Sequence, residues 1–170
     1  MWSGCELIEI VSPTEAVLRH AARAIVLDGD DRVLLVRFQV DGRSWWVAPG
    51  GGLEAGESHE AAIVRELAEE TGVRAPRIGP CIWTREHVFP WKGAVLRQRE
   101  RYFLVRVASP DLAPALSTAV LAEEGIVEMR WWALADIETS HEVFTPRRLA
   151  MLLTSLLTDG PPPEPMDVGV

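Results

Sequence analysis

No segment constrains this chain more than the one that runs from Gly50 to Val73, GGGLEAGESHEAAIVRELAEETGV. Three successive glycines cannot form an ordinary strand or helix interior. They allow backbone conformations that other residues avoid, or the close approach of another group. Ser58 to Thr71 then reads as a helix, with Ser58 as N-cap and Gly72 just beyond the C-terminal end. At about 100° per residue, Ile63, Val64, Leu67, Ala68 and Thr71 are expected on an apolar face and Glu66, Glu69 and Glu70 on another. Like charges three or four residues apart repel. Glu69 and Glu70 also lie in the last turn, where the helix dipole favours cations. A divalent cation would relieve both costs, because hard cations choose carboxylate oxygens. The competing reading is a solvated acidic helix face, and the charge pattern alone leaves both open.

The rest of the chain supplies a frame. Arg23 to Asp28 and Arg32 to Phe38 read as the strands of a hairpin, with the turn at Asp28 to Asp31. Trp45 to Ala48 reads as a short strand. Ile78 to Val88, Arg101 to Val107 and Val127 to Ala133 are further strand-like runs. A second helix is expected from Thr145, as N-cap with Pro146 at the first helical position, to Leu157. The order of elements predicts one α/β (α+β) domain with a mixed sheet between helices, over residues 1–159. Residues 160–170 contain PPPEP and are expected to be a disordered tail.

At 170 residues the chain is one ordinary domain, and 48% hydrophobic residues are enough for a core. Its net charge of −8 argues against a nucleic-acid groove, which would need clustered Lys and Arg. Cys5 and Cys81 have neither disulfide-framework nor zinc spacing and read as reduced thiols. No run approaches the roughly 20 apolar residues of a membrane span, and the N-terminus lacks signal-peptide character. The expectation is therefore a cytoplasmic protein without nucleic-acid or membrane partners. A homodimer is the default assembly.

Gly51, Glu57, Arg65, Glu66, Leu67, Glu69, Glu70, Gly72 and Val73 fill every fixed position of the pattern G-x5-E-x7-R-E-U-x-E-E-x-G-U, where U is a bulky aliphatic residue. The segment thus resembles the box of the Nudix hydrolases (MutT-like). The resemblance implies an α/β/α sandwich and a Mg2+-dependent (or Mn2+-dependent) hydrolase. Its bond would be a phosphoanhydride in a nucleoside diphosphate linked to another moiety, such as a nucleotide, nucleotide sugar or ADP-ribose. It further implies Glu69, Glu70 and the Gly50 carbonyl as metal ligands, Glu66 as either a further metal ligand or the general base, and Glu66, Arg65 and Glu69 as catalytic residues. Gly51, Glu57, Leu67, Gly72 and Val73 would be structural. A base or further ligand from outside the box would be Glu123 or Glu124, ahead of Glu86, Glu128 and Glu142. A metal would also explain how an acidic protein holds a phosphorylated ligand.

Arg37 and Arg85, with Arg97, are the candidate substrate contacts. Trp45, Trp46, Trp83, Trp91, Phe89 and Tyr102 are aromatic candidates that fit a core role better. His87 and His141 suggest no role, and Pro90 is a weak mark of the ADP-ribose subgroup. A catalytically silent nucleotide sensor on the same scaffold is the alternative, though sensors of that kind usually lose box carboxylates and here all are present. The spacing does not match an EF-hand.

Overall fold

A computed structural model describes residues 16–91, 93–108 and 111–169. In chain order its elements are β1 (Val17–Leu27), β2 (Val33–Val40), β3 (Arg43–Val47), β4 (Gly50–Gly52), α1 (His59–Glu70), β5 (Ile78–Trp91) and β6 (Ala94–Arg106). There follow α2 (Thr118–Glu123), β7 (Ile126–Trp132), α3 (Leu134–Thr139), β8 (Phe144–Thr145), α4 (Leu149–Asp159) and β9 (Met166–Asp167).

The hairpin at Asp28 forms because that buried carboxylate accepts from the backbone N–H of Asp30 at 3.0 Å and of Arg32 at 2.9 Å. Beyond this turn β1 and β2 part company. Their only paired register is Leu27 with Val33. β1 then pairs along its whole length with β6, in parallel, and on its other edge with β4. β2 pairs with β3 and β7. The sheet runs β8-β3-β2-β1-β6-β5-β9, and the glycines occupy the edge of β1 that β2 has left. β1 begins six residues before the expected strand, because Val17 to Ala22 pair with Leu96 to Arg101.

The sheet carries helices on both faces. On one, Ala22, Ala24, Val26, Phe103 and Val105 pack with Ala62, Ile63 and Leu67 of α1. On the other, Ile25, Leu27, Trp46, Trp83, Tyr102 and Trp132 pack with Ile137 of α3 and Leu149, Leu152, Leu153 and Leu156 of α4. Each such leucine contributes roughly 1.5–3 kcal/mol of burial. This is the mixed-sheet sandwich that the element order predicts. Adjacent Trp131 and Trp132 divide between the faces, as strand alternation requires.

Three expectations are corrected. The last helix starts at Leu149 rather than after Thr145, since Thr145 is drawn into β8, opposite Val47. Three glycines do form a strand, a short one that pairs only with β1. The tail beyond residue 159 is not disordered: β9 adds in parallel to β5, and Val168 is buried against the α4-side core. Its N–H donates to Thr84 O at 2.9 Å, so the edge of β5 is covered. Cys81 is a free thiol, and Cys5 lies outside the described residues.

Candidate active site

α1 starts where Ser58 Oγ accepts from Ala61 N at 3.1 Å. Its buried stripe is Ala62, Ile63, Glu66, Leu67 and Glu70. The helical spacing predicts the carboxylates on a face opposite the apolar one. Instead Glu66 and Glu70 belong to the inward stripe, Val64 is exposed, and Glu69 is only partly buried. The glycines make this possible. A Cβ on Gly51 would lie 2.3 Å from Glu66 Oε1, so only glycine leaves room for that carboxylate. Gly50 has φ +131°, and a Cβ there would meet Ala22 O at 2.2 Å. At the far end of α1, Gly72 has φ +81° and backs onto Ala113 O. Leu67 and Val73 anchor the segment in the α1-side core.

Arg65 ties loop to helix. Its Nε and Nη2 donate to the two oxygens of Glu57, each at 2.9 Å, a bidentate pair. Nη1 donates to Glu66 Oε1 at 2.8 Å and, more loosely, to Glu69 Oε2 at 3.5 Å. Nη2 also reaches Gly52 O at 3.1 Å. The Arg65 hydrogen bonds, with one from Glu54 N–H, hold the Glu57 carboxyl down at about 2. They raise the Arg65 guanidinium in turn.

Glu70 is in the opposite situation. Its Oε2 accepts from Gly50 N–H at 2.9 Å. Burial, and then the charge of Glu66, push its pKa up to about 8, with Glu124 adding to the effect. Burial raises Glu66 as well, against the pull of Arg65. Two buried carboxylates with too little positive charge suit a hard cation, and the donors present are all oxygens. Among the described residues no three His, Cys, Asp or Glu side chains enclose a common point. The three glutamates are gathered on one end of α1, with Glu66 and Glu69 turned to Arg65 and Glu70 to Gly50.

The profile of the NUDIX domain matches residues 17–152. The chain belongs to the Nudix family. It is 54% identical over 48 residues to the uncharacterised Nudix hydrolase YvcI of Bacillus subtilis, a match spanning 28% of this chain and 29% of that protein. It is 27% identical over 143 residues to an RNA pyrophosphohydrolase of Sphingopyxis alaskensis, covering 78% of this chain and 87% of the relative. In fold it is similar to the NUDIX domain of Shewanella oneidensis NrtR, whose structure was solved with ADP-ribose. There the TM-score is 0.62 at 21% identity, over 92% of this chain and 100% of the other.

Around the Nudix helix the structure brings in residues that sequence reasoning missed. Arg23 is partly buried on β1. Its Nη1 donates to Gly50 O at 2.5 Å and its Nε to Glu100 Oε1 at 3.0 Å. The carbonyl expected to face a metal is therefore gripped by a guanidinium, and a carbonyl oxygen has a second lone pair that can take another partner. Glu100 on β6 additionally accepts from Gln98 at 2.8 Å, Tyr102 at 2.9 Å and Arg85 at 3.0 Å. Burial alone would raise the Glu100 carboxyl; Arg23 and Arg85 outweigh it and hold the group well below the ordinary range. The His87 Nε2 lies 3.7 Å from Glu100 Oε2, too far for a hydrogen bond. The signal for Arg23 was its inward position two residues before Ile25 on the strand.

The remaining candidates scatter. Arg85 is held by Glu100 and by Gly169 O, not by the α1 carboxylates. Arg37 pairs with Glu128 and Glu142 and bonds Ser44. Arg97 and Arg99 share Glu86 on the β5–β6 ribbon. Glu123 and Glu124 are both exposed at the C-terminal end of α2, and Glu124, the C-cap, acts electrically on Glu70. Trp46, Trp83 and Tyr102 are core residues, and Trp45 stacks on Phe38.

Proposed function

We propose that this Nudix domain is a Mg2+-dependent pyrophosphohydrolase acting on a nucleoside diphosphate linked to another moiety. The observation that carries the reading is the buried Glu66–Glu70 pair set against the Gly50–Gly51 backbone, with Glu69 beside it. The relatives lend support: one bears the name RNA pyrophosphohydrolase, and the NrtR domain holds ADP-ribose.

Glu69, Glu70 and the Gly50 carbonyl would hold the ion, with Glu66 either a further ligand or the general base, and Glu124 is a carboxylate from outside the box that acts on Glu70. When bound, Mg2+ or Mn2+ supplies charge neutralisation and a bound water of lowered pKa. The chain's own residues do the rest. Arg65 fixes Glu66 through Oε1, which leaves Oε2 to accept a proton from the attacking water. Burial raises the proton affinity of Glu66, which suits a base. Glu57 anchors Arg65, and so orients the carboxylates without touching substrate.

The test is phosphate release coupled to a phosphatase, with Mg2+ and with chelator. The panel spans nucleoside triphosphates, ADP-ribose, nucleotide sugars, dinucleoside polyphosphates and 5′-triphosphate RNA. Chelator-sensitive turnover of at least one substrate is expected, and Glu70→Gln should cut it at least ~100-fold without unfolding the domain. A folded, Mg2+-loaded wild type that turned over nothing on the panel would favour the silent sensor.

A further inference from the structure

Arg19 is a half-buried arginine on β1, on the same face of the strand as Arg23. Its guanidinium lies directly over the backbone of Gly52. A Cβ on that residue would meet Arg19 Nε at 2.4 Å, Nη2 at 2.5 Å and Cζ at 2.8 Å. The third glycine of β4 is therefore what lets this cation settle beside the carboxylate-bearing segment.

The neighbouring arginines are already engaged. Arg23 is committed to Glu100 and Gly50 O, Arg65 to Glu57, Glu66 and Gly52 O, and Arg85 to Glu100 and Gly169 O. Among the described residues, no carboxylate lies within 4.0 Å of Arg19. Burial and the like charge of Arg23 oppose its charge, while Glu66 and Glu100 support it from a distance. Holding a guanidinium half out of water without a paired acid is costly. A planar fork of donors in such a place matches the oxygens of a phosphate. Arg23 already donates to the Gly50 carbonyl, so Arg19 stands on the side of β4 to which that carbonyl points.

We propose that Arg19 is a substrate-binding residue that takes non-bridging oxygens of the diphosphate of a nucleotide-type ligand, across β4 from the Glu66 carboxylate. This rests on the pyrophosphohydrolase reading and adds to it the residue that grips the anionic end of the substrate.

The test is calorimetric titration of α,β-methylene-ADP, in the presence of Mg2+, into the full chain. Wild type, Arg19→Gln, Arg19→Lys, Gly52→Ala and the exposed control Arg43→Gln are compared, each checked for folding by circular dichroism. Arg19→Gln should weaken binding at least ~10-fold and Arg19→Lys less, because lysine keeps the charge but loses the fork. Gly52→Ala displaces only the flexible end of Arg19, so it should fold and still weaken binding; Arg43→Gln should match wild type. Titration of Mn2+ alone should give the same affinity in Arg19→Gln as in wild type. Nucleotide binding within twofold of wild type in Arg19→Gln would overturn the assignment and leave the hydrolase reading intact. An equal loss of Mn2+ affinity would also overturn it, by making Arg19 a support of the carboxylates. A wild type that turned over a substrate of the panel yet bound no α,β-methylene-ADP would overturn the diphosphate contact alone.

Discussion

Glu70 and Gly50 illustrate how much of the site rests on single atoms. The carboxylate is 3% exposed and receives one backbone hydrogen bond, from a residue whose own φ excludes any side chain. Gly50→Ala forces a Cβ to within 2.2 Å of Ala22 O, a backbone atom that cannot swing aside. The expected cost is about 3 kcal/mol, in the range of strain at a special backbone conformation. Urea unfolding measures it, and an unchanged midpoint would show that β4 is not held against β1. The residue types at these positions were legible from the glycine run and the glutamate spacing. The inward direction of Glu66 and Glu70 was not, because a helical wheel does not know that the wall facing the helix is bare backbone.

At the scale of elements, β1, β5 and β6 carry a second charged centre behind the glycine strand. Glu100 joins Arg23 to Arg85 with only 3% of its surface exposed. Glu100→Gln leaves both guanidinium groups short of charge and should cost about 3 kcal/mol at neutral pH. The pH dependence has a definite sign. The folded-state pKa of Glu100 lies well below its ordinary value of 4.5, so its stabilising effect is complete above that pH and is lost as pH falls below it. The stability gap between wild type and Glu100→Gln should therefore narrow in acid. Thermal melts at pH 7 and pH 3 check this, and a gap that stayed constant or widened would contradict the ion-pair account. From the sequence, Gln98, Glu100 and Tyr102 alternate on one face of a strand-like run, yet nothing local said that this face meets Arg23. The parallel pairing of β1 with β6, across more than seventy residues of chain, brings them together.

For the whole molecule, the C-terminal segment is the point at which composition misled. PPPEP has the makeup of a flexible tail, but the residues after it reach β5, and Val168 is 2% exposed in the core with Trp83 and Tyr102. A chain ending at Gly160 should lose about 2 kcal/mol from that burial. The corresponding fall in Tm is roughly 4–8 °C for a domain of this size. Trp83 fluorescence should shift to the red as its cover is removed. A truncated protein with wild-type Tm and emission would mean that the segment contributes no packing energy.

By itself, the sequence determined the Nudix segment, the capped helix, the Asp28 hairpin and the layered order of strands and helices. Each of these depends on residues close together in the chain, where spacing and backbone preference act directly. The tertiary structure alone decided that Glu66 and Glu70 face inward, that Arg23 grips the Gly50 carbonyl, that Arg85 belongs to Glu100, and that Arg19 lies over Gly52. Those outcomes depend on which strands become neighbours and on how closely their backbones approach, and both follow from the packing of the whole sheet rather than from local sequence.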